Sequence, residues 1–275
     1  MTDTIPNLNG STRTYAVFGD PVAQVQTPRL INPLFANVGE NIVAVPFHVP
    51  ASLFAQAWAT FSAMSSTAGI GVTVPHKIAA AQLCDTLTPT AQAVGAVNSI
   101  QRAADGRLHG ALFDGDGFVA GLGDNRSRLK GAKVLMVGAG GAGRAIAHAL
   151  ASEGLAQLAL LDLDPTSVAA TIEIVNAAAQ RDLAVEADLS QSDFDVILNA
   201  SPIGIKGTAT FPFAPERLVS SMLVADIAAL SGDTPLLRAA RAAGCAISDG
   251  NDMLSAQIAL IAGFAAGRPA GTPLA

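Results

Sequence analysis

The chain has 275 residues, half of them hydrophobic, a formal net charge of −6 and two cysteines, Cys84 and Cys245, far apart in apolar settings. That length exceeds the usual single domain, so two cores are expected, and the acidic balance without any basic run argues against nucleic-acid or membrane-surface partners. No apolar run reaches the ~18 residues needed to span a bilayer. Met1 to Arg13 is polar with no signal-peptide core, which predicts a cytoplasmic protein whose cysteines are reduced thiols.

Tyr15 to Phe18 reads as a strand that stops at Gly19-Asp20-Pro21. Pro28 to Ala36 predicts a helix with proline in its first turn. Ile42 to Val49 is a second strand, Leu53 to Met64 a helix with Trp58 in the core, and Ala68 to Val74 a third strand ended by Pro75. Helix resumes over Ile78 to Leu83. Val97 to Arg102 and Arg107 to Leu112 flank Asp105-Gly106, a hairpin signal. The alternation of strands and helices implies an α/β fold with a mostly parallel, covered sheet.

The rhythm restarts at Lys133. Strands are expected at Val134 to Val137, Leu158 to Leu161, Leu183 to Ala187, Asp195 to Leu198, Leu223 to Ile227 and Cys245 to Ser248. Helices fall between several of them, including Pro235 to Ala243, and Met253 to Phe264 forms a last apolar helix. The second half therefore reads as a Rossmann domain, with the domain boundary inside Asp114 to Lys130, where glycines and charges cluster. Gly138-Ala139-Gly140-Gly141-Ala142-Gly143 sits between strand and helix with the spacing G-x-G-x-x-G. That turn lets a backbone lie against a pyrophosphate at a helix N-terminus. The next strand ends in Asp162, placed where a carboxylate takes the ribose hydroxyls of NAD.

Lys77 follows a strand end and a rigid proline, and ligand sites in open α/β sheets lie at carboxyl strand ends. Asn98 stands beside another strand, and Asp114 and Asp116 occupy a glycine-bracketed turn. Spacing alone does not bring Lys77 to Asp114. The four histidines, His48, His76, His109 and His148, form no ligand-spaced pair, so no metal is expected.

The chain resembles the shikimate/quinate dehydrogenase family along nearly its whole length. The matching pieces are Val17-Phe18-Gly19-Asp20-Pro21, Val72-Thr73-Val74-Pro75-His76-Lys77, Gly95-Ala96-Val97-Asn98-Ser99, Asp114-Gly115-Asp116-Gly117, the glycine turn, Asn199-Ala200-Ser201-Pro202-Ile203-Gly204, and Asp249-Gly250 through to Gln257. The resemblance implies a substrate domain over 1–113 plus 250–275, an NAD(P) domain over 114–249, and a site in the cleft. It implies Lys77 and Asp114 as the acid–base pair, with either group formally able to take the proton. It puts Thr27, Gln26, Thr73, Asn98 and Gln257 on a ring hydroxy-acid, and Asn199, Ala200, Ser201, Ile227 and Gly250 on the cofactor beside the glycine turn. The expected assembly is a monomer or homodimer.

Three departures from the family pattern bear on the substrate. The usual serine-x-serine that holds a substrate carboxylate is replaced by Val25 and Thr27 within Gln24-Val25-Gln26-Thr27, Leu112 takes the place of an asparagine, and Ala229 that of a tyrosine. A fourth bears on the cofactor. Members using NADP usually carry Asn-Arg-Thr after the second strand, the arginine gripping the 2′-phosphate, and this chain has Asp162-Leu163-Asp164. The carboxylate repels a phosphate, which predicts NAD over NADP. The expected activity is an NAD-dependent interconversion of a ring hydroxy-acid and its keto form, of the shikimate or quinate type. The alternatives are a dehydrogenase for a different cyclic hydroxy-acid, or a ligand or NAD sensor that kept the fold; the intact Lys77 and Asp114 speak against the sensor.

Overall fold

Tyr15, Ala16, Val17 and Phe18 are all buried, as a strand covered on both faces requires. They open a computed structural model that describes residues 8–191, 193–204, 211, 213–229 and 232–274. The polar N-terminal stretch up to residue 7 lies outside those residues. The chain divides into two units, one running to Phe113 and resuming at Ile258, the other spanning Asp114–Gln257.

The first unit runs β1 (Arg13–Gly19), α1 (Thr27–Asn37), β2 (Ile42–His48), α2 (Phe54–Ala63), β3 (Thr67–Val72), α3 (Lys77–Ala81), β4 (Thr86–Leu87), α4 (Pro89–Val94), β5 (Ser99–Arg102) and β6 (Leu108–Ala111). Its sheet has the order β2-β1-β3-β5-β6-β4. The pairings β1–β2, β1–β3 and β4–β6 are parallel, and β3–β5 and β5–β6 antiparallel. The expected hairpin is the β5–β6 pair, turning through Gly106 at φ +87°. One face is covered by Ile31 and Phe35 of α1 and, from the far end of the chain, by Ile258, Ile261 and Phe264.

The second unit runs α5 (Asp114–Gly121), β7 (Lys133–Val137), α6 (Gly141–Leu150), β8 (Gln157–Leu161), α7 (Pro165–Ala179), β9 (Ala184–Glu186), β10 (Val196–Asn199), β11 (Leu223–Asp226), α8 (Pro235–Ala242), β12 (Ala246–Asp249) and α9 (Gly250–Ala265). Its sheet is wholly parallel in the order β12-β11-β10-β7-β8-β9. This is the doubly wound dinucleotide-binding order, with its switch point between β7 and β10. Helix α9 is shared: it stays with the second unit to Gln257 and continues in the first from Ile258.

Helix starts follow a simple rule. Thr88-Pro89, Asp164-Pro165 and Thr234-Pro235 open α4, α7 and α8, with the first residue of each pair accepting a backbone N–H and the proline in the first turn. Two expectations need correction. The glycine-rich stretch from Asp114, read as a turn, is helix α5. Its glycines serve packing: a Cβ on Gly115 would lie 2.5 Å from the Ala145 oxygen, one on Gly117 2.6 Å from Cβ of Gln257, and one on Gly121 2.7 Å from the Asp252 backbone. The last helix starts three residues earlier than its apolar pattern. Asp249 accepts the N–H groups of Asn251 (2.8 Å) and Asp252 (3.1 Å), while Asp252 accepts that of Asp249 (3.0 Å), a reciprocal cap.

Candidate active site

At the switch point of the second unit the glycine turn divides its labour three ways. Gly138 adopts φ +108°, where a Cβ would also lie 2.6 Å from the Ala200 carbonyl. A Cβ on Gly143 would overlap the Gly138 carbonyl oxygen. Gly140, which precedes α6, is different, because nothing lies within 4 Å of the position its Cβ would take. Packing does not require a glycine there, and the open space leaves room for a ligand to approach the backbone closely. The N-terminal amides of α6 open beside it, a site for an anion. One residue past Gly143, the Nε of Arg144 is buried without a hydrogen-bond partner, a donor the protein leaves unused. The spare room at Gly140 and this donor together fit a pyrophosphate-bearing cofactor.

Asp162 stands at the end of β8. One carboxylate oxygen accepts the N–H of Ala139 at 2.7 Å, within the glycine turn, and the other that of Asp164 at 3.0 Å. Each oxygen keeps a second lone pair for a hydroxyl. The neighbouring Leu163 is fully exposed.

On the other side of the switch point, Asn199 is fully buried at the end of β10. Its amide donates to Ile203 O (2.9 Å) and to Asp226 Oδ1 (3.0 Å), and its oxygen accepts from the N–H (3.0 Å) and Oγ (2.6 Å) of Ser201. Asp226 is itself buried, and burial pushes its carboxyl above the usual aspartate range. Ile227 donates its N–H to Asn199 O at 3.0 Å, and Gly250 donates to Ala229 O at 3.2 Å. Asp114 is buried at the start of α5, and Gly115 packs that helix on α6. Gln257, also buried, packs on α5 at Gly117. The second unit thus gathers the glycine turn, Asp162 and the Asn199 turn, with Asp114 and Gln257 on helices that pack in the same unit.

The first unit gathers its own set at the carboxyl ends of β1 and β3. Gly19 is held against Thr73, whose Cγ2 would lie 2.6 Å from a Cβ there, and Asp20 N–H donates to Val74 O at 3.0 Å. Lys77, partly exposed, is the first residue of α3. Its carbonyl accepts the N–H of Val97 at 3.0 Å, and the next residue, Asn98, holds the N–H of Phe113 through Oδ1 at 3.1 Å. His76 is a packed histidine: it is buried, its Nε2 meets Val49 O at 2.6 Å, and its ring stacks on Phe54 at 4.5 Å. At the start of α1, Thr27 and Gln26 are partly exposed, and Val25 packs toward the core. Gln24 donates to Pro21 O (2.9 Å) and Gln26 to Gln24 O (3.3 Å). Leu112 and Ala229 are buried. Both cysteines are free, and burial raises the Cys84 thiol to about 12.

Sequence reasoning missed Arg144, Asp226 and Thr234. Arg144 follows the glycine turn directly and could have been marked as a cation in a cradle. Asp226 could have been flagged as a lone acid ending an apolar strand.

Residues 17–100 match the family described as the shikimate dehydrogenase substrate binding domain. The NADP(+)-type shikimate dehydrogenase of Anaeromyxobacter dehalogenans strain 2CP-1 is 36% identical over 283 aligned positions, covering 96% of this chain and 94% of that enzyme. Among solved structures, shikimate 5-dehydrogenase of Listeria monocytogenes in complex with shikimate and NAD superposes with a TM-score of 0.83 at 25% identity, covering 98% and 97% of the two chains. Quinate dehydrogenase of Corynebacterium glutamicum in complex with NAD superposes with a TM-score of 0.80 at 26% identity, covering 93% and 94%.

Proposed function

The chain belongs to the shikimate/quinate dehydrogenase family of NAD(P)-dependent oxidoreductases, and from that premise we propose that it interconverts a ring hydroxy-acid and its keto form with NAD as the preferred dinucleotide. The observation that carries the cofactor preference is the end of β8. A carboxylate, Asp162, stands at the end of that strand and is bonded to the glycine turn, and the next side chain is the exposed, uncharged Leu163. Asp162 accepts from a 2′-hydroxyl and repels a 2′-phosphate, and the residues that follow it, Leu163 and Asp164, supply no cation to offset that repulsion.

When bound, the nicotinamide supplies the hydride acceptor for the carbinol carbon. The chain supplies the rest. Lys77 and Asp114 hold the reacting hydroxyl and move its proton, help worth about 10²–10⁴ in rate. What supports their pairing is a run of hydrogen bonds within the first unit, from the Lys77 carbonyl through Val97 and Asn98 to Phe113, the residue before Asp114. Thr73, Asn98 and Gln257 orient the ring hydroxyls. Asn98 is held in place for that role by its Oδ1, which accepts the N–H of Phe113 at 3.1 Å. Thr27 and Gln26 hold the substrate carboxylate.

A second reading within the same chemistry is favoured by Val25, Leu112 and Ala229. Each removes a polar partner that the family usually presents, and each unmatched buried polar group on a substrate costs about 1–3 kcal/mol. The substrate is then a different cyclic hydroxy-acid, with little turnover of shikimate itself. The test is a screen of ring hydroxy-acids, shikimate and quinate among them, against NAD and NADP at equal concentration, following NADH or NADPH absorbance in wild type and Lys77→Ala. A preference for NADP of about tenfold or more, an energy of about 1.4 kcal/mol, overturns the cofactor assignment. Binding without turnover in wild type points to the sensor.

A further inference from the structure

Asp226 ends β11 at 1% exposure, and among the described residues no ion pair reaches it. Both of its oxygens are nonetheless engaged as acceptors. Oδ1 takes the N–H of Ala228 and the amide of Asn199, both at 3.0 Å, and Oδ2 takes the hydroxyl of Thr234 at 2.5 Å. From there the bonds fan outward. Asn199 fixes Ser201 and Ile203, and Ser201 Oγ accepts the N–H of Ile203 at 3.2 Å. Thr234 accepts the N–H of Leu237 at 3.3 Å, and its Cβ lies 3.1 Å from where a Cβ on Gly204 would sit. On its far side the same turn backs onto Gly138, whose Cβ would lie 2.7 Å from the Ser201 nitrogen. The 199–204 turn is therefore clamped between Asp226 and the first glycine of the cradle.

A carboxylate buried without a cation is expensive, and an apolar residue would fill this strand end at less cost. What the carboxylate adds is direction: it fixes the amide of Asn199, and through it the turn. In a doubly wound sheet the two mononucleotide-binding halves flank the switch point. The glycine turn and Asp162 lie on the β7–β9 half and serve the adenylate end, and the 199–204 turn lies on the other half. We infer that Asp226 is a positioning residue that sets affinity for the nicotinamide half of the dinucleotide by holding the 199–204 turn in register with the glycine cradle. This rests on the reading of the second unit as the dinucleotide site.

The experiment compares NADH with ADP-ribose, which lacks the nicotinamide, by calorimetric titration of wild type, Asp226→Ala, Asp226→Asn and Thr234→Val, alongside steady-state kinetics. Asp226→Ala is expected to weaken NADH binding about tenfold, the scale of one lost buried hydrogen-bond partner, and to raise KM for the dinucleotide more than it lowers kcat. ADP-ribose affinity stays within about twofold, because the groups assigned to it, the glycine turn and Asp162, are on the β7–β9 half. Asp226→Asn, which keeps an oxygen for Ala228 and Asn199, recovers most of the loss. Where Asp226→Ala does not fold, Thr234→Val carries the same comparison with one donor removed. Parallel weakening of both ligands, or no change in either, overturns the inference. Failure of wild type to bind either ligand overturns the dinucleotide reading itself.

Discussion

At the carboxyl edge of the all-parallel sheet, the cradle is made mainly of backbone: three glycines in distinct roles, the first amides of α6, and a turn braced from Asp226. At the carboxyl edge of the mixed sheet, the groups we propose to act are side chains, Thr73, Lys77 and Asn98, carried on loops and on the first residue of a short helix. The two edges answer differently to change. A backbone cradle fails where a new Cβ collides and is otherwise indifferent to side chains. A side-chain site keeps its fold through almost any replacement and changes what it recognises. Val25, Leu112 and Ala229 pack into the cores, and under the proposed function they are replacements of the second kind.

The largest expected effect tests the side-chain edge. Lys77→Ala lowers kcat by about 10²–10⁴ while leaving the dissociation constant of NADH, read by titration calorimetry, unchanged. Equal damage to both quantities would break the distinction between the edges. Next come two glycines of the cradle. Gly143→Ala forces overlap with the Gly138 oxygen and costs about 1–3 kcal/mol or more of stability in denaturant unfolding. Gly140→Ala has open space for its methyl, so it unfolds like wild type yet binds NADH about tenfold more weakly. Identical unfolding curves for the two variants would show that the cradle is not divided as described.

A smaller effect concerns cofactor choice. Asp162→Asn combined with Leu163→Arg raises kcat/KM for NADP relative to NAD by about tenfold, the scale of one charge-assisted contact. No change in that ratio would separate Asp162 from the ribose. The smallest effect is on pH. Burial raises the Asp226 carboxyl above its reference of 3.8, so the native state holds this proton more tightly than the unfolded chain. The associated stability is present at acid pH and is lost as pH rises from the reference value through the raised one. The stability of Asp226→Asn relative to wild type should therefore increase between pH 4 and pH 7 in urea titrations, by about 1.4 kcal/mol for each tenfold gain in the native state's proton affinity. A constant difference would refute the sign.

Legibility in the sequence followed the same division. The β7–α6–β8 core was readable because apolar strands, a glycine turn and a terminal acid are local patterns. Lys77 and Asn98 could be marked by their places beside strand ends, but their roles, and that of Thr73, came only through resemblance, since a lysine after a strand has no local signature of chemistry. Helix α5 was hidden because Gly115, Gly117 and Gly121, poor helix formers, are selected by the helices they touch, which lie far away in sequence. Asp226 and Thr234 were hidden for a related reason: a carboxylate bonded across β10, β11 and the start of α8 has meaning only once those strands are side by side. The short β4 and α4 were passed over because two residues of strand carry no periodicity.

The division of α9 has a consequence for the order in which the protein is completed. Ile258, Ile261 and Phe264 plug the same cluster as Tyr15 and Phe35. During synthesis the first unit is therefore left with an open seam until the final stretch emerges from the ribosome, although most of its residues were made first. The second unit, contiguous from Asp114 to Gln257, has all its parts by then. A chain truncated after Gln257 should accordingly protect the second unit from protease while the first is still cut.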